Sequence, residues 1–111
     1  MIKFLTIFVI IFAICGCQNG NKERTLDEIL SSDSYIIVDV RTKEEYNNSH
    51  VVGSINIPYD EIDNTLLDKN KTIIVYCQSG NRSKIAYDNL ISLGYDVYDL
   101  GAFSSITLEK E

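Results

Sequence analysis

Two short, mostly apolar runs constrain this fold more than any other feature. They are "YIIVDV" at 35–40 and "KTIIVYC" at 71–77, both rich in β-branched residues and without regular polar alternation. Runs of this kind predict strands that are buried on both faces, as in a parallel sheet covered by helices. Because a helical pattern follows each run, we predict an α/β fold, with a small, mostly parallel sheet and helices on both faces.

The flanking segments carry signals for helix ends. Thr25 is followed three residues later by Glu28, and Thr42 by Glu45, which is the capping-box pattern of a helix start. These signals predict a helix at 25–31 and another just after Thr42. The remaining predicted elements are a short strand, a short helix or turn, a helix and a last strand, at 54–58, 59–67, 83–94 and 95–100. The helix at 83–94 is expected to align four apolar residues along one side, Ile85, Ala86, Leu90 and Leu93, and to end at Gly94.

Size and charge limit the classes of function. With 111 residues, 45% of them hydrophobic and 23% charged, the chain has room for one core. Its formal charge is -6 and Lys and Arg do not cluster, so neither nucleic acid nor an anionic membrane surface is expected as an electrostatic partner. The single histidine, His50, has no neighbouring ligands in the sequence, so no metal site is predicted, and a loop histidine bonded to the backbone is favoured over a catalytic base.

The first residues predict export rather than folding. After Lys3, an apolar run at 4–14 is too short to span a bilayer and ends in "ICGC", which resembles the lipobox of bacterial lipoproteins. That resemblance implies lipidation of Cys17 and an extracytoplasmic, membrane-anchored protein. An ordinary secretory signal cleaved near Gly16 is the alternative. The predicted organisation is a signal peptide, a lipidated tether and one domain, at 1–16, 17–24 and 25–111.

Cys77 has three possible roles: a packed core residue, half of a disulfide, or a nucleophile. Cys15 is predicted to leave with the signal peptide and Cys17 to carry lipid, so Cys77 has no disulfide partner within the mature chain. The loop "CQSGNRS" that it opens joins a strand to a helix. Backbone N–H groups and a helix start favour an anionic sulfur there, Gly80 permits a tight turn, and Arg82 adds a positive charge.

This loop resembles the C-x-x-G-x-R-S loop of rhodanese-like sulfurtransferases. Other stretches resemble landmarks of that family in the family's order: "DVR", "EEY", "SHVVGSINIP" and "LGYDVYDLG", at 39–41, 44–46, 49–58 and 93–101. The resemblance spans most of 25–101 and implies the rhodanese-like three-layer fold. Two landmarks differ: Gln78 stands where many members carry a cation, and Ala102 and Ile106 stand where a second glycine and a tryptophan are usual.

The resemblance also implies roles for single residues. Cys77 is expected to be the nucleophile that accepts sulfane sulfur. The substrate and the terminal sulfur are expected to lie in the loop that follows, made of Gln78, Ser79, Gly80, Asn81, Arg82 and Ser83. Asp39, Arg41 and Glu45 are expected to support this loop, with His50 in a similar role. No cofactor is implied, and the expected substrates are small sulfur compounds.

Two functions are compatible with these residues. The first is an enzyme that moves sulfane sulfur from a donor such as thiosulfate to cyanide or a thiol. The second is a sulfur carrier or binding module that presents its sulfur to another envelope protein. A phosphatase is disfavoured, because four residues separate Cys77 from Arg82, whereas the related phosphatase loops place five between cysteine and arginine.

Overall fold

A four-stranded parallel sheet forms the centre of the molecule. The structure is a computed structural model and describes residues 24–32 and 34–111. The strands are β1 (Tyr35–Asp39), β2 (Ile55–Asn56), β3 (Thr72–Cys77) and β4 (Asp96–Ala102). They lie in the order β2-β1-β3-β4, and every neighbouring pair is parallel. The predicted α/β class and parallel sheet are therefore confirmed.

In the part of the chain that the structure describes, three α-helices and two 3-10 helices accompany these strands. The α-helices are α1 (Leu26–Ser31), α2 (Lys43–Asn48) and α3 (Asn81–Ser92), and the 3-10 helices are Ile62–Asn64 and Phe103–Ser105. Both predicted capping boxes are present, with Thr25 and Thr42 each accepting a hydrogen bond from the backbone of the glutamate three residues later. These caps satisfy N–H groups that six-residue helices would otherwise leave unpaired.

The core lies on both faces of β3. Ile73, Val75 and Cys77 point to one side, where they belong to the same apolar cluster as α3 residues. Ile74 and Tyr76 point to the other side, toward Ile29 of α1. All six residues of β3 are buried, which explains why the sequence shows no polar alternation here. Each large apolar side chain buried in this way stabilises the fold by about 1.5–3 kcal/mol.

The predicted apolar side of the third helix is partly wrong. The helix begins at Asn81 rather than Ser83, and it buries Ser83, Ala86 and Leu90 against the sheet. Ile85 is 46% exposed, because it lies about 100° around the helix from Ala86. Leu93, 44% exposed, falls at the helix end, where the chain turns away through Gly94.

Strand lengths also differ from the prediction. β2 has only two residues of the five predicted, and β4 starts one residue later than expected and runs on to Ala102. Within residues 24–32 and 34–111, no helix is long and apolar enough to cross a membrane. The predicted signal peptide and Cys17 lie outside the described residues, so both stay predictions.

Candidate active site

Cys77 is the last residue of β3, and its sulfur sits inside the loop that follows. The thiol is fully buried. Its Sγ accepts two backbone hydrogen bonds, from Gly80 N at 3.0 Å and from Ser83 N at 3.2 Å. The described part of the chain contains no other free cysteine. Two N–H dipoles directed at one sulfur stabilise negative charge that develops on it during a reaction.

The loop backbone offers more donors than Cys77 uses. Gly80 adopts a φ of 100°, a conformation that side-chain-bearing residues rarely adopt, and this lets the loop turn back over the sulfur. The N–H groups of Ser79, Asn81 and Arg82 find no acceptor among the residues that the structure describes. Backbone N–H groups without an acceptor at a helix start are available to bind an anion.

Arg82 closes the loop from outside. Its guanidinium donates to both carboxylate oxygens of Glu45, at 2.9 and 3.2 Å. Glu45 is also the third residue of α2 and completes its capping box, so one carboxylate joins α2 to the loop. The hydrogen bonds from Arg82 lower the pKa of Glu45 to about 2. The pKa of Arg82 is raised, first by its hydrogen bond to Glu45 and also by the charge of a Cys77 thiolate.

Arg41 connects the loop to the buried carboxylate of Asp39. Its Nε and one terminal nitrogen donate to Asp39 at 2.7–3.0 Å, and both residues are almost completely buried. Its other terminal nitrogen reaches the loop and donates to Gln78 Oε1 at 3.0 Å. Burial opposes the charge of Arg41 most strongly, but the hydrogen bond and attraction of Asp39 outweigh it and raise the pKa of Arg41. Gln78, Asp39 and Arg41 therefore form one hydrogen-bonded unit.

Three further residues, which the sequence did not predict as part of the site, contact the Arg41–Asp39 pair. The ring of Phe103 lies 4.3 Å from the centre of the Arg41 guanidinium. Asn56 donates to the carbonyl oxygens of Asp39 and Arg41, at 2.9 and 3.0 Å. The ring of Tyr76 stacks on that of Phe103 and lies 5.6 Å from the Arg41 guanidinium, and burial raises the pKa of its phenol to about 12, so it stays neutral. Their role depends on contacts between distant strands, for which the sequence carries no local signal.

His50 is a loop histidine bonded to the backbone, as predicted. Its Nδ1 lies 2.8 Å from the carbonyl oxygen of Tyr46, and its ring stacks on that of Tyr46 at 3.9 Å. Its Nε2 pairs with Glu111, not with the Cys77 loop. Among residues 24–32 and 34–111, no cluster of side chains has the composition of a metal site.

Comparisons with known proteins identify relatives along most of the chain. The family model described as "Rhodanese-like domain" matches residues 22–108. The chain is 38% identical over 78 residues to thiosulfate sulfurtransferase PspE of Escherichia coli, covering 66% of this chain and 75% of that protein. It is 36% identical to the putative sulfur carrier protein YrkF of Bacillus subtilis, covering 59% of this chain but only 36% of that protein. A solved rhodanese with anions from E. coli superposes with a TM-score of 0.65 at 36% identity, covering 70% of this chain and 98% of that one.

Proposed function

This chain belongs to the rhodanese-like domain family, and from that premise we propose that it is an extracytoplasmic sulfurtransferase that carries sulfane sulfur on Cys77. One observation carries the proposal: the buried Cys77 sulfur accepts hydrogen bonds from the backbone N–H groups of Gly80 and Ser83. These N–H groups stabilise negative charge on the sulfur, and the thiolate is the nucleophilic form of cysteine.

The proposed reaction has two steps. In the first, the Cys77 thiolate attacks the outer sulfur of a donor such as thiosulfate. A new S–S bond forms on Cys77, the donor's own S–S bond breaks, and sulfite leaves with the bonding electron pair. In the second, cyanide or a thiolate attacks the outer sulfur of the persulfide, and Cys77 leaves as a thiolate. No external oxidant or reductant is needed.

The loop residues have matching roles in this proposal. The unpaired N–H groups of Ser79, Asn81 and Arg82 would hold the terminal sulfur of the persulfide, which carries the negative charge. Arg82 holds the loop closed through Glu45, and Arg41 positions Gln78 at its start. Because the Cys77 sulfur is covered, the loop has to open slightly before a donor can reach it.

The extracytoplasmic location is also a proposal and depends on the first residues. The apolar run at 4–14 and the "ICGC" that ends it support a lipid anchor at Cys17. In that case Cys77 is the single thiol of the mature chain, since Cys15 leaves with the signal peptide and the sulfur of Cys17 is acylated.

A sulfur carrier is the second candidate function. The complete cover over the Cys77 sulfur favours it, since a covered persulfide is protected from small acceptors and is released only when a partner opens the loop. The relative named as a putative sulfur carrier also supports it. Turnover with small molecules distinguishes this function from the first.

Intact-protein mass spectrometry tests both candidates. A form that starts at Gln18 is incubated with thiosulfate and then with cyanide, beside the variant Cys77→Ala. We expect the native protein to gain one sulfur atom and lose it to cyanide, and the variant to gain none. A persulfide that forms but resists cyanide would favour the carrier. No gain with thiosulfate or polysulfide, or an equal gain in the variant, would contradict sulfur transfer through Cys77.

A further inference from the structure

Arg24, the first residue that the structure describes, lies at the amino end of the sheet. Arg24 donates to Thr72 Oγ1 at 3.2 Å and forms an ion pair with Asp96. Thr72 is the first residue of β3 and Asp96 the first residue of β4. Thr72 also donates to the same Asp96 carboxylate at 2.9 Å, so the three side chains form one cluster. The segment that precedes the domain is therefore attached at the amino end of the two strands.

Cys77 lies at the opposite end of the sheet. Five residue steps of β3 separate it from Thr72, which corresponds to about 16 Å at the usual rise of a parallel strand. The loop from Gln78 to Ser83 extends beyond that point. A surface that approaches the point of attachment therefore meets the domain on the side away from Cys77.

The amino end also exposes apolar side chains. Leu66 is 93% exposed, the highest value among the exposed large apolar residues, and Leu93 is 44% exposed. Both line one shallow groove together with Asp63 and Lys69. The Lys69 ammonium donates to the Leu93 carbonyl at 2.7 Å and lies over the ring of Tyr95. Exposed leucines beside a lysine are a combination that suits the boundary between lipid and water.

We propose that the amino end of the sheet, with Leu66 and Leu93, faces the lipid surface to which the chain is anchored, so that the Cys77 loop opens toward water and exchanges sulfur with dissolved partners. This orientation rests on the lipid anchor proposed at Cys17. Only seven residue steps separate Cys17 from Arg24. A random-coil chain of seven residues spans about 15 Å on average. Turning the Cys77 end toward the lipid would require nearly full extension of that segment.

Alkylation of Cys77 in the full lipid-anchored protein tests this orientation without requiring any sulfur transfer. The protein is placed in phospholipid vesicles and treated with an iodoacetamide that is either dissolved or attached to a phospholipid headgroup. The thiolate displaces iodide in both cases, and mass spectrometry measures the adduct. The matched control variant carries twenty glycine and serine residues inserted between Gly20 and Asn21, which lets the domain turn over.

We expect the lengthened variant to react with the lipid-linked reagent at least about fivefold faster than the native protein, with equal rates toward the dissolved reagent. Leu66→Ser should raise the lipid-linked rate by a smaller factor, about twofold. Equal lipid-linked rates in the native and lengthened forms would overturn the orientation, and so would a chain that does not remain on vesicles. If Cys77 forms no persulfide, the sulfurtransferase proposal fails, yet these alkylation rates still decide the orientation.

Discussion

The two arginines of the site differ in their surroundings although they do similar work. Arg41 and Arg82 each hold a carboxylate by more than one hydrogen bond, and each connects it to the loop after Cys77. The side chains of Arg41 and Asp39 are 3% and 0% exposed, whereas those of Arg82 and Glu45 are 26% and 32% exposed. One pair lies in the interior, and the other lies at the protein surface.

Because of this difference in burial, the Arg41–Asp39 pair matters mainly for the stability of the fold, and the Arg82–Glu45 pair for the position of the loop. A buried ion pair loses its hydration, so its charges need further partners, and Arg41 finds them in Gln78, the Ser49 carbonyl and the ring of Phe103. Removal of one member would leave a buried charge without compensation. The pair at the surface exchanges water for a partner at little net gain, so it can hold the loop and still release it.

Loss of Arg41 should give the largest effect. We expect Arg41→Met to lower the free energy of unfolding by about 3–5 kcal/mol, because the Asp39 carboxylate stays buried without a counter-ion. Urea unfolding followed by circular dichroism measures this. The double variant Asp39→Leu with Arg41→Met is the control, and it should recover part of the loss. A cost below about 1 kcal/mol for Arg41→Met would contradict the contrast between the pairs.

Loss of Arg82 should affect the reaction more than the fold. We expect Arg82→Met to reduce the kcat/KM of sulfur transfer about tenfold, because the loop N–H groups lose their fixed position around the sulfur and the thiolate loses a nearby positive charge. The free energy of unfolding should fall by about 1 kcal/mol or less. Arg82→Lys keeps the charge but not the two-pronged contact, so it should be intermediate. The opposite ranking, with a large stability loss and unchanged kcat/KM, would rule out this role.

Acid should release the surface pair. The pKa of Glu45 is lowered from 4.5 to about 2 in the folded state, mainly by the hydrogen bond from Arg82. A lowered pKa stabilises the fold above the unfolded value, and this contribution is lost as the pH falls from about 4.5 toward 2. We expect the stability difference between the native protein and Glu45→Gln to shrink over that interval. Urea titrations at several pH values measure it, and a difference independent of pH would count against the pair.

Salt should have the smallest effect. Raising the ionic strength from about 0.05 to 0.5 M screens charges near the surface but hardly reaches buried ones. The stability cost of Arg82→Met should therefore decrease at high salt by a few tenths of a kcal/mol, while that of Arg41→Met should stay constant. Parallel urea titrations compare the two variants. An equal salt response would mean that burial does not distinguish the pairs.

The sequence predicts the members of the two ion pairs but not their pairing. The resemblance to rhodanese-like sulfurtransferases implied that Asp39, Arg41 and Glu45 support the Cys77 loop. Which arginine pairs with which carboxylate did not follow from that resemblance. Arg41 and Asp39 are two residues apart, whereas Arg82 and Glu45 are 37 residues apart. The sequence spacing therefore does not predict the contact between Arg82 and Glu45.

What the sequence determined by itself is the local and periodic part of this protein. Continuous apolar runs required strands buried on two faces, and the Thr25 and Thr42 caps required helix starts, since these signals act within a few residues. The tertiary structure alone decided the partners of Arg82 and Arg41, the contribution of Phe103, and the exposure of Ile85. Each of these depends on how elements distant in the chain pack together, which no local pattern encodes.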